Sequence, residues 1–191
     1  MREIKKDNYF WENDLVELRH LREEDWEGYY YNRFDTTGRK RVNCLVELPP
    51  TKGEAESFVE KFSASSQETG RIMLTVVNKQ NENVGAINLN SIDERNGTFS
   101  IGLQIDRDHR SKGYGTAAMQ LLMEYAFLER RLNKYYGHVI DGNKPSARML
   151  EKLGCVNEGR RSQMYYVSGE YRDIIMFGLT KDEFIKAQKI G

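Results

Sequence analysis

The residues with the clearest chemical use in this chain of 191 residues run Gln104-Ile105-Asp106-Arg107-Asp108-His109-Arg110-Ser111-Lys112-Gly113-Tyr114-Gly115-Thr116. A strand-like run there breaks into a basic, glycine-punctuated turn, and a long amphipathic helix follows. Ala118, Leu121, Leu122, Tyr125 and Ala126 recur at three- and four-residue spacing, which gives that helix one buried face and starts it near Gly113. The first turn of a helix leaves backbone N–H groups without intrahelical acceptors, and no Asp or Asn stands between Lys112 and Gly115 to cap them. A bound anion satisfies such donors with help from the helix dipole, while Gly113 and Gly115 keep Cβ atoms away from phosphate oxygens. Arg107, His109, Arg110 and Lys112 add positive charge nearby. The chemistry indicated is phosphate binding; the plainer alternative is that the glycines serve only the geometry of a strand-to-helix junction. Two familiar phosphate loops are excluded, because no Lys-Ser or Lys-Thr pair follows the second glycine and the spacing is not Gly-x-Gly-x-x-Gly.

Positioning this turn needs a scaffold of alternating strands and helices. Leu15 to Leu21 alternates apolar and polar residues like a half-buried strand, and Arg22-Glu23-Glu24-Asp25 then charges the start of a helix carrying Trp26 and Tyr29 to Tyr31. Phe34 to Leu48 shows no clear period. Pro49-Pro50 stops what precedes it, and Thr51 with Glu54 forms a capping box opening a helix that buries Ala55, Phe58, Val59 and Phe62. Strands are expected over Ile72–Val77, Val84–Asn90 and Thr98–Ile105, the last two joined by a tight turn at Asn96-Gly97. Lys134–Ile140 is a further strand, and Asp141 to Ser146 opens a helix that ends at Gly154, with Pro145 just inside its start. Val156 to Leu179 reads as two strands joined at Ser168-Gly169-Glu170. Strands before and after two central helices give an α/β (α+β) sheet of mixed direction.

Composition narrows the partners. Lys and Arg number 29 against 29 Asp and Glu, so no broad basic surface advertises nucleic acid or a membrane. Cys44 and Cys155 stand far apart without metal-like spacing, as in a reducing compartment. Met1 to Asp7 is charged and lacks the apolar core of a signal peptide, and no apolar run is long enough to span a bilayer. A soluble cytoplasmic protein is expected, with residues 1–191 forming one domain.

Arg110-Ser111-Lys112-Gly113-Tyr114-Gly115 resembles the Arg/Gln-x-x-Gly-x-Gly/Ala signature of the GNAT acetyltransferases, which bind acetyl-CoA. Leu15 to Leu21 with the acidic helix start, Asn143 to Cys155, and Gly169-Glu170-Tyr171-Arg172-Asp173 sharpen the resemblance toward the RimJ/RimL-like branch, whose members acetylate ribosomal-protein N-termini, polyamines and small amines. The resemblance covers the order of elements from about Leu15 to Leu179. It implies a mixed, mostly antiparallel central sheet flanked by helices and splayed between its fourth and fifth strands, with the pantetheine arm of acetyl-CoA lying in the gap like an added strand. In that arrangement the pantetheine pairs with backbone around Ile105, Asp106 and Arg107, the pyrophosphate sits on the turn of Arg110, Ser111, Lys112, Gly113, Tyr114, Gly115 and Thr116, and Asn143 faces the arm from the opposite wall. Acetyl-CoA enters as a co-substrate, and no metal is expected.

The implied reaction is direct attack of a primary amine, on a small molecule or a protein N-terminus, on the thioester within a ternary complex. The amine must lose a proton, the oxyanion needs a backbone N–H such as one around Ile105, and the departing thiolate needs a proton donor. Many relatives place a Tyr acid seven residues after the helix-start Asn, where this chain has Leu150. Ser146 is the replacement expected, as some ribosomal-protein acetyltransferases use a serine there; the competing reading is that Ser146 and Asn143 only cap the helix. Relatives often carry Glu where this chain has Ser100 and Ala117, so no carboxylate announces itself as base; Asp106 is a candidate that would equally pair with Arg107 or Arg110. His138, in a strand beside the cleft, reads as a packed histidine before a catalytic one. By analogy Tyr29 to Tyr31 and the Phe34 to Leu48 segment, with Arg39-Lys40-Arg41, border the acceptor; the plainer reading is a half-buried aromatic run and a solvated charged face, and were the basic cluster functional it would favour an acidic or carboxylate-bearing acceptor over a polyamine. Two alternatives stand beside acetyl transfer: use of another acyl-CoA, and a catalytically weak CoA-binding regulatory or interaction protein. The terminal hairpin, with Met164, Tyr165, Tyr166, Ile174, Ile175, Met176 and Phe177, offers an apolar surface for a homodimer.

Overall fold

The computed structural model describes residues 6–63 and 71–188. Seven strands form one sheet: β1 (Val16–His20), β2 (Ile72–Asn78), β3 (Asn83–Asp93), β4 (Thr98–Ile105), β5 (Lys134–Ile140), β6 (Val156–Val167) and β7 (Glu170–Thr180). Their spatial order is β1-β2-β3-β4-β5-β7-β6, and every pairing is antiparallel except β4 with β5. The helices are α1 (Trp26–Asn32), α2 (Thr36–Asn43), α3 (Lys52–Ser63), α4 (Tyr114–Glu124), α5 (Lys144–Lys152) and α6 (Lys181–Gln188). None of the helices is long and apolar enough to cross a membrane, among the described residues.

The parallel pair β4–β5 decides where the site is. It is registered only at Thr98 with Lys134 and Phe99 with Tyr135. That end is pinned because the Gly97 carbonyl accepts the backbone N–H groups of both Asn133 and Lys134, at 2.7 and 2.9 Å. Beyond Phe99 the strands part, and the gap widens toward Ile105, as the splayed sheet requires. Gly97 sits in the expected turn with φ of 66°, a conformation that costs other residues dearly.

The remaining elements fall close to their expected places. The Thr51–Glu54 capping box is present in both directions, at 3.0 and 3.2 Å, and α3 buries Ala55 and Val59 while Phe58 and Phe62 pack half-buried. α4 lies across β1 to β4, with Ala118, Leu121, Leu122 and Ala126 buried as the periodicity predicts. Ala117, Met119, Met123 and Phe127 are buried too, so the helix is wrapped on more than one face, and it continues through a single π turn at Tyr125–Glu129. Ser168 and Gly169 both have positive φ in the β6–β7 turn, which matches the twist of a two-residue hairpin. In the hairpin Ile174 and Phe177 point into the core, while Met164, Tyr166 and Tyr171 are exposed.

Two elements had no apolar stripe to reveal them. α2 occupies the segment without clear period; its residues are largely exposed, and it is held by its ends. Asp35 caps it by accepting the Gly38 N–H at 3.1 Å, and Cys44 closes it in a left-handed conformation. α6 is anchored by a single fully buried residue, Phe184, against Phe127. Near the other end of the sheet, buried Asp25 joins β1, β2 and β3 to the start of α1. It accepts both Arg19 Nη groups at 2.7 and 2.9 Å, the Arg22 N–H at 2.9 Å, the Thr75 hydroxyl at 2.8 Å and Asn83 Nδ2 at 3.0 Å. Burial alone would raise its pKa; the hydrogen bonds from Arg19, Arg22 and Thr75 outweigh it and hold the carboxyl below its ordinary value.

Candidate functional site

A cleft of about 420 Å³ opens where β4 and β5 separate. Ile105, Arg110, Ser111, Gly113, Tyr114, Gly115 and Thr116 line it on one side, with Asn143 and Ser146 on the other. Gly113 caps α4 at φ of 88° with no side-chain cap. None of the backbone N–H groups from Ser111 to Thr116 reaches an acceptor in the described backbone; the first to do so is that of Ala117, to Gly113. Unpaired amides at a helix start present a positive potential that favours an anion. A Cβ on Gly115 would stand 3.3 Å from Leu103 Cδ2 and 3.4 Å from Ile105 Cγ1 and Met149 Sδ, so its absence widens the floor of the cleft.

The register of the sheet explains why this gap can hold an extended chain. The Asp106 N–H bonds to Val84 O, which turns the polar groups of alternate residues Gln104 and Gly102 toward β3. Those of Leu103 and Ile105 then point into the gap, where β5 has withdrawn. Leu103 and Ile105 carry side chains toward α4, so the side chain of Gln104 lies on the other face.

On that other face lies a second cleft of about 400 Å³, between α1, α2, α3 and the strands β2 to β4. Tyr29, Arg33, Arg39, Glu47, Asn88 and Gln104 contribute to it, and it shares Val42, Gly102, Leu103 and Gln104 with the first. The two clefts therefore meet across β4 at Gly102–Gln104. Gly102 leaves room for Asn88 there: a Cβ would come within 2.6 Å of Asn88 Nδ2 and push that side chain aside.

Several expected residues take different roles. Arg107 and Arg110, expected to add charge at the phosphate turn, both bind Asp35, at 3.2 Å for Arg107 and in a close contact for Arg110; Asp35 is buried at the start of α2. Arg110 Nε also donates to Ile105 O at 2.9 Å. The guanidinium thus ties the turn to α2 and occupies the Ile105 carbonyl. Arg107, Asp106 and Lys112 are not in the wall of the cleft. Asp106 does not pair with either arginine; it accepts from Asn32 Nδ2 at 2.5 Å, and burial raises its pKa despite that bond and the charges of His109 and Arg110. Of the basic run, Arg39 faces the second cleft and Arg41 the first.

Asn143 is buried and caps α5 through its Oδ1, 3.5 Å from the Ser146 N–H. The Ser146 hydroxyl has no hydrogen bond among the described residues and lies in the cleft wall. Leu150 is buried beside it. His138 stacks on Tyr165 with ring centroids 5.7 Å apart, and burial, then Arg161, lowers its pKa, so it is neutral near pH 7. Ser100 is the start of a neutral chain: its hydroxyl donates to Asn90, Asn90 to Asn88, and Asn88 to Gly102 O at 3.3 Å. Neither cysteine lines a cleft; burial raises both thiols, Cys155 to about 12. Arg33, Glu47 and Asn88 were not singled out by sequence: Arg33 closes the end of α1, Glu47 comes from the segment without clear period, and the one signal that could have marked a close approach is the glycine inside β4, Gly102.

Comparison with known proteins agrees with this geometry. Residues 16–156 match the Acetyltransferase (GNAT) domain, and the chain belongs to that family. It is an acetyl-CoA-dependent N-acetyltransferase by that membership and by its relatives. It is 28% identical to the SPbeta prophage-derived N-acetyltransferase YokL of Bacillus subtilis over 175 residues, 92% of this chain and 95% of that one. Its fold is similar to the crystal structure of spermidine N-acetyltransferase from Vibrio cholerae in complex with CoA and spermine, with TM-score 0.79 at 20% identity, covering 91% of this chain and 99% of that one. RimL, a ribosomal L7/L12 alpha-N-protein acetyltransferase solved with coenzyme A, gives TM-score 0.78 at 19% identity, covering 90% and 97%. These are the kinds of relative that the resemblance to the RimJ/RimL-like branch implies.

Proposed function

We propose that residues 1–191 form a single domain that transfers acetyl from acetyl-CoA to a primary amine, on a small molecule or a protein N-terminus, by direct attack in a ternary complex. The observation that carries this reading is the meeting of two clefts across β4 at Gly102–Gln104. Acetyl-CoA takes the cleft at the phosphate turn, and the amine takes the other. The amides of Ser111 to Thr116 hold the pyrophosphate, the backbone groups of Leu103 pair with the pantetheine arm while the Ile105 N–H is kept for the thioester oxygen, and Asn143 closes the opposite wall. Solved relatives carry CoA, which supports the choice of donor.

The amine nitrogen, once neutral, adds to the thioester carbon to give a tetrahedral intermediate with its charge on oxygen, and collapse of that intermediate breaks the C–S bond and releases the CoA thiolate. A backbone N–H at Ile105, fixed by the strand before any substrate arrives, stabilises the oxyanion. The excess proton on nitrogen leaves through water, since both carboxylates of the acceptor cleft are held by arginines. The Ser146 hydroxyl donates to the thiolate and is reprotonated from solvent. No nucleophilic cysteine stands in either cleft, in keeping with direct transfer without an acetylated enzyme. The cytoplasm, where acetyl-CoA is made and used, is the compartment that suits this reaction.

Initial rates measured over a grid of acetyl-CoA and amine concentrations test the reading. Intersecting double-reciprocal lines are expected. Parallel lines, with an acetylated protein detectable by mass, would replace the ternary complex with a covalent intermediate. Tight acetyl-CoA binding with no turnover across a broad amine panel would favour the regulatory alternative.

A further inference from the structure

Four buried side-chain polar atoms lack a hydrogen-bond partner among the described residues: Tyr29 Oη, Arg33 Nε, Gln104 Nε2 and His109 Nδ1. Such atoms are uncommon in folded proteins and ask for an explanation. The first three belong to residues lining the acceptor cleft, and His109 lines the other.

All three in the acceptor cleft carry a proton with nowhere to donate it. Arg33 has no acceptor atom; its Nε lies 3.5 Å from Glu47 Oε2, an ion-pair distance without a hydrogen bond. The orientation of the Gln104 amide is settled by Arg39, which can only donate and does so to Gln104 Oε1 at 2.6 Å. Its NH2 group is therefore the unpaired end. Tyr29 keeps its phenolic proton because burial, then the charges of Asp25 and Asp106, push its pKa upward.

The acidic groups of the same wall are already engaged. Glu47 accepts from Arg39 at 2.9 and 2.6 Å and from Asn43 at 2.5 Å. Glu54 faces Arg33 at 3.6 Å and takes the Thr51 N–H at 3.0 Å. A polyamine brings further ammonium groups that need free carboxylates or carbonyls, and this wall offers it surplus donors.

We infer that the acceptor is a small amino acid: a primary amine bearing a carboxylate, whose oxygens accept from Gln104 Nε2, Arg33 Nε and Tyr29 Oη. Gln104 stands where the two clefts meet, so the oxygen it receives lies near the attacking nitrogen. That closeness favours an α- or β-amino acid over a long-chain one. The products are the N-acetylated amino acid and the CoA thiol. The inference rests on the acetyl-transfer reading above.

The test uses the full chain with acetyl-CoA and matched acceptors: several α-amino acids, their α-amides, the corresponding amines without the carboxylate, a peptide and spermidine. CoA thiol release gives kcat/KM for each. The amino acid is expected to exceed its decarboxylated amine, its amide and spermidine by at least tenfold, and Tyr29→Phe to shrink that ratio. Higher kcat/KM for spermidine, the amide, the peptide or the decarboxylated amine would overturn the amino-acid assignment while leaving acetyl transfer intact. Absence of turnover with every amine, in protein that binds acetyl-CoA, would overturn the transfer reading and this inference with it.

Discussion

Gly113 and Gly169 form a matched pair of perturbations for the phosphate turn. Both hold left-handed backbone, with φ of 88° and 87°. A methyl on Gly113 would meet only the flexible end of Leu15, at 3.2 Å, and one on Gly169 would meet nothing within 4 Å. Alanine at either position therefore imposes backbone strain with little steric clash, roughly 1–2 kcal/mol each. For a chain of this size that lowers the melting midpoint by about 2–8 °C in both variants. Their effects on ligand must differ. Gly113→Ala relaxes its strain by turning the Gly113 and Tyr114 N–H groups away from the pyrophosphate, whereas Gly169 lies at the tip of the β6–β7 hairpin. A hydrogen bond to a charged group contributes about 1.5–3 kcal/mol, so loss of one weakens CoA binding by about 10- to 150-fold. Calorimetric titration with CoA, alongside thermal unfolding, reads both quantities. Equal midpoint drops with equal, near-unchanged CoA affinities would refute the assignment of these amides to the phosphates.

Three further outcomes are expected. Ser146→Ala should lower kcat by about 100-fold with CoA affinity changed far less; an unaltered rate would remove the Ser146 hydroxyl from the reaction. Asp25→Asn should destabilise the protein by about 3 kcal/mol near pH 7, because it leaves the Arg19 charge without its buried partner. Folding lowers the Asp25 pKa, so its stabilisation is complete above the unfolded value near ~3.9 and is lost as pH falls through the folded value; thermal unfolding of mutant and parent should therefore converge at low pH, and a constant gap would contradict this. Cys44 and Cys155 are buried with raised pKa values, Cys155 at about 12, so native protein at pH 8 should take up iodoacetamide much more slowly than unfolded protein, as mass spectrometry would show.

What could be read from sequence followed the physical signals present in it. The strands and α3 to α5 carry strong periodicity, caps or turn residues, and each appears within a few residues of its expected bounds. The uncapped turn at Gly113 was legible because its glycines, missing cap and following helix are local. α2 was not, since its stability comes from Asp35, which reaches Arg107 and Arg110 far along the chain. The same long-range pairing removed both arginines from the free charge assigned to the turn. The second cleft was only partly legible: the resemblance put Tyr29 and the Phe34 to Leu48 segment beside the acceptor, but Arg33 and Gln104 were missed, and the unpaired donors of Tyr29, Arg33 and Gln104 exist only in the folded arrangement.

The central claim is that acetyl-CoA lies between β4 and β5 with its pyrophosphate on the amides of Ser111 to Thr116. Amide hydrogen exchange with and without saturating CoA tests it most directly, because those N–H groups lack backbone partners in the free protein. Strong protection is predicted over Ser111–Thr116 and along Leu103–Ile105, with little change at the β6–β7 turn. Binding of CoA that leaves those two segments unprotected would contradict it.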